Sequence, residues 1–480
     1  MRLLILSLVS VLTVLRLTAQ SCPCEDLFNH TRELVEQNYA GWFDKVTPAN
    51  RSLYDKWNEA QQQKIKLVKT DSACIVQLSQ WVSFFKDKNL RISQLPVRRN
   101  ADGSIYRRED PVIPRFNISE QQVRYYLGSS RSLDSVEGIF RNEQYTLGVV
   151  RSEKQRYLAT VISTTEKNWK PEDVKFILEK KEGHYNAALF NDDKTDSTHP
   201  TVVIAGNILD LGTAFFERIF PEPEQRQNLF EYEMSRDPLS PALEFREGGL
   251  AIWRFPGFGK KALSQTAYLL QKNAAQLEKS SNWIIDLRGN NAADYEAAMQ
   301  LMKYIYTDPV VKPGAEMRVT AQNIDAWIAA TAKSIHTQAN ESVVKTFDSL
   351  CTVMRTKEGG FFNRNKYTND TIRIAKPATH VKRVALLINK QTAGAAELFT
   401  LLCRQSKKVK VFGQVSAGAA DYGNVVVYDT GCSTVRLSLP IDRMLWPDEG
   451  FSVDKAGIHP DRLFVTDDWI AAVLNEWKIK

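Results

Sequence analysis

Past its first fifteen residues, this 480-residue chain has no apolar run long enough to cross a bilayer. It also lacks a long arginine–lysine stripe with interleaved aromatic residues, which argues against a nucleic-acid partner. The short run Lys407-Lys408-Val409-Lys410 reads as a solvated face. There is no internal repeat and no low-complexity tract. Cysteine is sparse, at six residues, and Cys22-Pro23-Cys24 has no further ligands near it at zinc-site spacing. No metal and no cofactor is therefore expected.

A hydrophobic share of 43% beside 25% charged residues excludes the disordered and membrane classes and leaves a soluble globular one. The length exceeds what one ordinary core supports, so two or three domains are expected. The front end carries a targeting pattern. Arg2, the apolar run 3–15 and Thr18-Ala19 before Gln20 predict a signal peptide cleaved near Ala19. Leu17, three residues before that cut, matches the small-residue rule only moderately, and Ala19-Gln20-Ser21 before Cys22 is a poor lipobox. With Arg2 and Arg16 removed in the leader, the formal charge of +7 falls to +5, too little to dictate a partner. The expected location is the periplasm or outside the cell, without a membrane span. There disulfides persist, and a bridge from Cys22 or Cys24 to Cys74 is expected, with the connectivity open.

Four regions follow: the leader at 1–19, an N-terminal helical region at 20–110, a β-rich middle domain at 111–240 and an α/β core at 241–480. Leu27, Leu34, Val35 and Tyr39, then Ile75, Leu78, Trp81, Val82 and Phe85, recur at helical spacing. Residues 96–112, with Pro96, Gly103 and Pro111, read as a connecting loop. The stretches 145–150, 157–162 and 202–205 are short, β-branched or aromatic, and separated by polar turns such as Asn191-Asp192-Asp193. From about 245 the pattern becomes α/β. Buried strands are expected at 250–253, 283–285, 384–388 and 409–412, and helices at 260–277, 295–306 and 395–404. Such alternation predicts a largely parallel sheet flanked by helices.

Two passages in this half carry a resemblance. The run 282–290, Asn-Trp-Ile-Ile-Asp-Leu-Arg-Gly-Asn, resembles the "I-I-D-L-R-G-N" strand and loop of the tail-specific, or C-terminal processing, serine peptidases. The strand at 384–389 followed by Thr392-Ala393-Gly394-Ala395-Ala396-Glu397 resembles their "T-A-S-A-A-E" nucleophile segment. Phe412-Gly413-Gln414 with Ser416-Ala417-Gly418, and Gly457-Ile458-His459-Pro460-Asp461, resemble "G-E-x-T-x-G" and "G-I-x-P-D". The four motifs stand in the family's order across roughly 245–465. The front end, with Phe84-Phe85-Lys86-Asp87, is similar to the branch related to tricorn-type and retinoid-binding-protein-like members. No PDZ domain is recognisable, and the β-rich region stands in its place. The resemblance implies a crotonase-like ββα superhelix core and acyl transfer to a serine at a strand-to-helix turn.

The parts of that chemistry are altered here. Gly394 stands at the nucleophile position and has no side chain to acylate. The lysine form of the base would lie near Ala419, where there is none, and the histidine form aligns with Asn89, which cannot accept a proton near neutral pH. The oxyanion loop, glycine-rich in relatives, here continues from Gly289-Asn290 as Asn291-Ala292-Ala293-Asp294, where side chains disfavour positive φ. Gly289, Asn290, Asn291, Ala393 and Ala395 are the expected cleft residues. Thr392 or Ser416 as substitute nucleophile and His459 as substitute base are the less favoured readings. Asp286 with Arg288, and Glu397, are expected to orient loop and helix. The reading is a catalytically impaired homologue, a pseudoenzyme that binds peptide or protein segments in the former substrate cleft. The alternatives are an active periplasmic serine-type endopeptidase with an unrecognised nucleophile and base, and a small apolar ligand held in the core or near Trp169, Tyr185 and Phe190.

Overall fold

A computed structural model of the chain describes residues 22–94, 113–192, 194, 197–259, 261–338, 341–364, 369–432, 434–446 and 450–479. The expected leader and the loop at 96–112 lie outside these residues, as do Asp193 of the expected turn and Lys260. The chain divides into two compact units, Met1–Tyr106 with Leu239–Lys480, and Arg107–Pro238.

In the first unit, helices α1 (Cys24–Asn38), α2 (Arg51–Ile65) and α3 (Asp71–Val82) precede strand β1 (Arg91–Gln94). The strands that follow after the second unit include β2 (Ala242–Arg246), β3 (Leu250–Arg254), β4 (Asn282–Asp286), β5 (Val310–Arg318), β6 (Arg383–Ile388), β7 (Val409–Gly413), β8 (Tyr422–Asp429), β9 (Val435–Leu445) and β10 (Arg462–Leu463), with the short strands Phe361–Phe362 and Asn369–Ile372 paired to β5. Helix α4 (Ala395–Arg404) lies between β6 and β7. One sheet runs β2-β3-β4-β6-β7-β10, parallel throughout except for the antiparallel edge β2. Its strands read as continuous apolar runs because both faces are covered. Ile252, Ile284, Leu387 and Phe412 pack on one face against Trp469, Ile470 and Val473 of the last helix. Trp253, Ile285, Leu386 and Val411 pack on the other against Phe399 and Leu402 of α4.

The largely parallel sheet expected from the sequence is present, and the first unit holds another beside it. A second, antiparallel sheet is built from β1, β9 and β5, with β8 along the other side of β9. Pro313 and Gly314 in β5 and Pro440 in β9 speak against strand interiors, and they hid this sheet from the sequence pattern. Two helices, Ala321–Gln338 and Glu341–Arg355, are likewise additional to those expected.

The N-terminal helices pack on this second sheet. Leu27, Phe28, Thr31, Leu34, Val35 and Asn38 form the buried stripe of α1, and Trp81 and Phe85 meet the same core. Buried Arg318 on β5 donates to the carbonyls of Glu36 (2.8 Å) and Tyr39 (2.9 Å) at the end of α1, where a cation suits the helix terminus. Burial pulls its pKa down to about 10. Two disulfides staple the arrangement, Cys24–Cys74 and Cys22–Cys432, the second across 410 positions. The first is one of the two pairings left open above, and the second joins the front end to the turn between β8 and β9.

The second unit is an antiparallel sheet of nine strands, ordered Ser197–Thr198, His184–Phe190, Val174–Lys181, Arg156–Thr164, Tyr145–Glu153, Gly138–Arg141, Phe215–Phe220, Ile208–Asp210 and Val203–Ala205. The stretch 200–202 also bonds back to 185–187, so the sheet curls onto its own edge. Phe140, Leu147, Tyr157, Phe176, Leu209 and Phe216 fill the concave side. Trp169, Tyr185 and Phe190 belong to that packed core. Helix Glu120–Ser129, held by a Ser119/Gln122 capping box, covers the convex side with Val123 and Leu127.

Because Cys22–Cys432 closes so long a loop, its removal is expected to cost about 2–5 kcal/mol. Denaturant unfolding of a Cys22→Ser/Cys432→Ser double variant checks this, and an unchanged midpoint would show that packing of α1 alone holds the front end in place.

Candidate active site

Two strand ends of the parallel sheet deliver the site. Beyond β4, Asp286 accepts two bonds from the Arg288 guanidinium, at 2.8 and 2.6 Å, and the chain turns at Gly289, whose φ is +79°. Gly289 N–H donates to Asn389 Oδ1 at 3.0 Å, beyond the neighbouring β6. Asn290 is buried. Its amide donates to the Phe255 carbonyl (2.9 Å), and its Oδ1 accepts from Ala292 N–H (3.1 Å). The loop is then tied to the turn after β6 by a two-rung ladder: Ala393 N–H to Asn290 O at 2.9 Å, and Ala395 N–H to Ala292 O at 3.1 Å.

Gly394 sits between those rungs with φ +58° and ψ −119°, a conformation that favours glycine. A Cβ placed there would lie 3.2 Å from the Ala292 carbonyl oxygen and 3.9 Å from that of Ala419. The Ala419 carbonyl also accepts from the Asn89 amide at 3.0 Å, and Tyr422 O takes that amide's second bond at 2.8 Å. Gly394 and Asn89, 305 positions apart in the sequence, thus flank one oxygen. Gly289, Asn290, Ala393 and Ala395 join them through the ladder, while the exposed Asn291 projects from the loop without a described contact.

Glu397 organises the other wall. It is fully buried, and its Oε2 accepts from Gly394 N–H (2.9 Å) and Ala419 N–H (2.8 Å). Its Oε1 accepts from Gly418 N–H (2.6 Å) and the Ser416 hydroxyl. The less favoured nucleophiles are thereby committed elsewhere. Ser416 donates to Glu397 and accepts from Ile458 N–H, and buried Thr392 donates to Leu287 O at 2.9 Å. His459 is exposed, and its carbonyl accepts from Arg404 at the far end of α4.

Some groups at this site carry no signal in the motifs. The Lys88 ammonium reaches the Ala417 carbonyl, a contact across 329 positions. Beneath Asn89 lie three carboxyls. Asp87 accepts from the Tyr39 hydroxyl (2.7 Å) and Asn89 N–H (2.8 Å). Asp421 accepts from Trp446, Ser452 and Val453, and its own N–H donates to Asp454 at 3.0 Å. The Asp454 side chain is 1% exposed, with Lys45 at 3.9 Å. Burial, then the charges of Asp87 and Asp421, push its pKa up to about 7, against a smaller pull from Lys45. Burial also raises Asp87, although its bonds from Tyr39 and Asn89 oppose the shift.

Two outcomes follow from these carboxyls. Glu397→Ala strands three backbone N–H groups and a hydroxyl, and is expected to cost at least about 3 kcal/mol in denaturant unfolding; a loss under about 1 kcal/mol would mean that water replaces the carboxylate. Asp454 retains its proton in the folded state between about pH 4 and 7, where the unfolded chain has lost it. Its contribution to stability is complete below pH 4 and lost as pH rises through 7. Asp454→Asn is therefore expected to gain Tm relative to the parent as pH rises from 5 to 8. A difference in Tm that stays constant over that range would contradict the shift.

Residues 249–464 match the model of peptidase family S41. This segment contains β3 to β10, the ladder and Gly394, and leaves out Asn89. No curated protein matches the chain. Similar solved structures include mature CPAF complexed with lactacystin (13% identity, covering 92% of this chain and 94% of that one, TM-score 0.46). The photosystem II D1 C-terminal processing protease is another (11%, 92% and 94%, 0.36), as is a putative peptidase from Parabacteroides merdae (11%, 94% and 93%, 0.43). Through residues 249–464, the stretch that forms the parallel sheet and the turn at Gly394, this chain is similar to peptidase family S41.

Proposed function

We propose that this chain is an exported S41-fold protein that binds extended peptide or protein segments without hydrolysing them. The observation that carries the reading is the state of the turn at Gly394. Acyl transfer needs an oxygen nucleophile there, and glycine offers none. The N–H that follows it, on Ala395, is already bonded to the chain's own Ala292 carbonyl and so is not free to stabilise a substrate oxyanion. Asn89 uses both amide hydrogens on backbone carbonyls and has no basic atom for a proton.

Binding makes fewer demands than catalysis. Strand β8 pairs with β9 alone among the described residues, which leaves its other edge without a strand partner beside the site. It begins at Tyr422, whose carbonyl holds Asn89, and Val425 and Val427 along it are exposed. An extended segment added there would gain main-chain hydrogen bonds, with side chains supplying selectivity. The leader pattern and the two disulfides support an oxidising destination, the periplasm or the exterior.

Incubation with unfolded protein, peptides and esters, alongside a fluorophosphonate probe, is expected to give neither turnover nor labelling. Gly394→Ser is expected to remain several orders of magnitude below a working triad, since Ala292 and Asn89 are unchanged. Strong peptidase activity from that single substitution would overturn the reading, as would parent turnover that survives purification and responds to changes at Asn89.

A further inference from the structure

A cavity of about 460 Å³ lies beside α4, within the ordinary range of about 300–1,000 Å³ for ligand pockets. It is separate from the turn at Gly394. Its wall on α4 runs from Leu398 to Arg404, one to three turns further along the helix, and continues onto Gln405. Leu398 and Leu401 are half-buried, although they lie on a helix whose neighbouring side chains Phe399 and Leu402 are in the core. They face Val311 and Pro313 of β5 across the cavity, with Trp446 and Phe451 forming an edge-to-face pair at 5.1 Å beside them.

The polar groups of this wall are already satisfied by the protein. Gln405 bonds both the N–H and the carbonyl of Val311 at 2.8 Å, as a neighbouring strand would. The Trp446 indole N–H donates to Asp421 at 3.0 Å, which turns its apolar ring surface to the cavity. A ligand therefore meets no demand for hydrogen bonds inside and needs an apolar body. Among the described residues, the lining carries the cations Lys312 and Arg404 and no acidic residue. Arg404 is paired with Asp461. Lys312 forms no ion pair among the described residues; its ammonium rests 5.8 Å from the Tyr295 ring centroid.

We infer that this cavity binds an amphipathic monocarboxylate, an aliphatic chain whose carboxylate pairs with Lys312. The site goes beyond peptide binding at the Gly394 cleft and neither requires nor excludes it. Each buried methylene would tighten binding about fourfold, so chain length sets affinity and the carboxylate sets orientation.

Decanoate, decanol and decylammonium are the probes, followed by calorimetry and tryptophan fluorescence on the full mature chain. Decanoate is expected to bind at one saturable site, more tightly than octanoate, with a fluorescence change that disappears in Trp446→Phe while the heat remains. Lys312→Met is expected to weaken decanoate about fivefold and leave decanol unchanged. Leu401→Trp, or Leu398→Trp should the first fail to fold, fills the cavity and is expected to abolish binding at an unchanged Tm. Absence of saturable decanoate binding overturns the inference, and so does binding that survives a folded cavity-filling variant. Preference for decylammonium over decanoate would overturn the charge assignment. A peptide that competes at this cavity while decanoate does not would assign it to the polypeptide ligand instead.

Discussion

One buried carboxylate holds the turn at Gly394 and the loop before β8 together. Glu397 stands in the first turn of α4, where a negative charge suits the helix terminus, and it gathers N–H groups from Gly394, Gly418 and Ala419 with the Ser416 hydroxyl. The strand-to-helix turn and the loop before β8 are thereby fixed to each other. Ala419 O, held in place on this scaffold, accepts from Asn89, so the front end of the chain is in turn referenced to the same carboxylate. Removing one partner of such a buried network leaves the others unpaired at low dielectric, which is why its members act as a unit.

The same bonds set the shape of the site without a side chain at position 394. The positions of Gly394, Ala395 and the loop 289–293 are set by backbone bonds, by Asn290 and by Glu397, none of which involves a nucleophile side chain. Substituting glycine at the turn costs nothing there, because φ +58° with ψ −119° is a conformation glycine adopts freely and a side chain does not. With no side chain at 394, Ala292 O and Ala395 N–H are free to meet without an intervening hydroxyl.

The parallel sheet was legible in the sequence because strands covered on both faces leave continuous runs such as Trp283-Ile284-Ile285, and the helix at 395–404 follows its turn directly. The antiparallel sheet was not, since Pro313, Gly314 and Pro440 interrupt the strand pattern. Pro440 lacks an N–H for the ladder but keeps its carbonyl, which accepts from Ala40 N–H. At the site, Gly394, Asn89 and Asn291-Ala292-Ala293 were readable as departures from a motif, and Asn290, Ala393 and Ala395 as matches to it. Lys88, Asp421 and Asp454 were not, because their meaning comes from neighbours hundreds of positions away or from shared burial. The Cys22–Cys432 bridge belongs to the same class: parity and compartment predict disulfides, while the pairing depends on where β8 and β9 turn.

The bond from Ala395 N–H to Ala292 O separates two kinds of loss. A missing serine alone would leave an oxyanion site waiting for a carbonyl, and one atom would restore it. On the proposed reading the chain's own carbonyl fills that place, and the loop carrying it is anchored through Asn290 to Phe255 on one side and to Ala393 on the other. Freeing Ala395 therefore means breaking a ladder whose other rung and side-chain anchor remain satisfied, and a hydroxyl at position 394 would gain no carbonyl to attack until that happened. The edge of β8 carries no such cost. On the same proposed reading a bound segment lies along that edge, which has no strand partner among the described residues, while the ladder stays intact. Binding and hydrolysis, on the proposed reading, come apart: one uses an edge with no strand partner among the described residues, and the other a donor already bonded to Ala292.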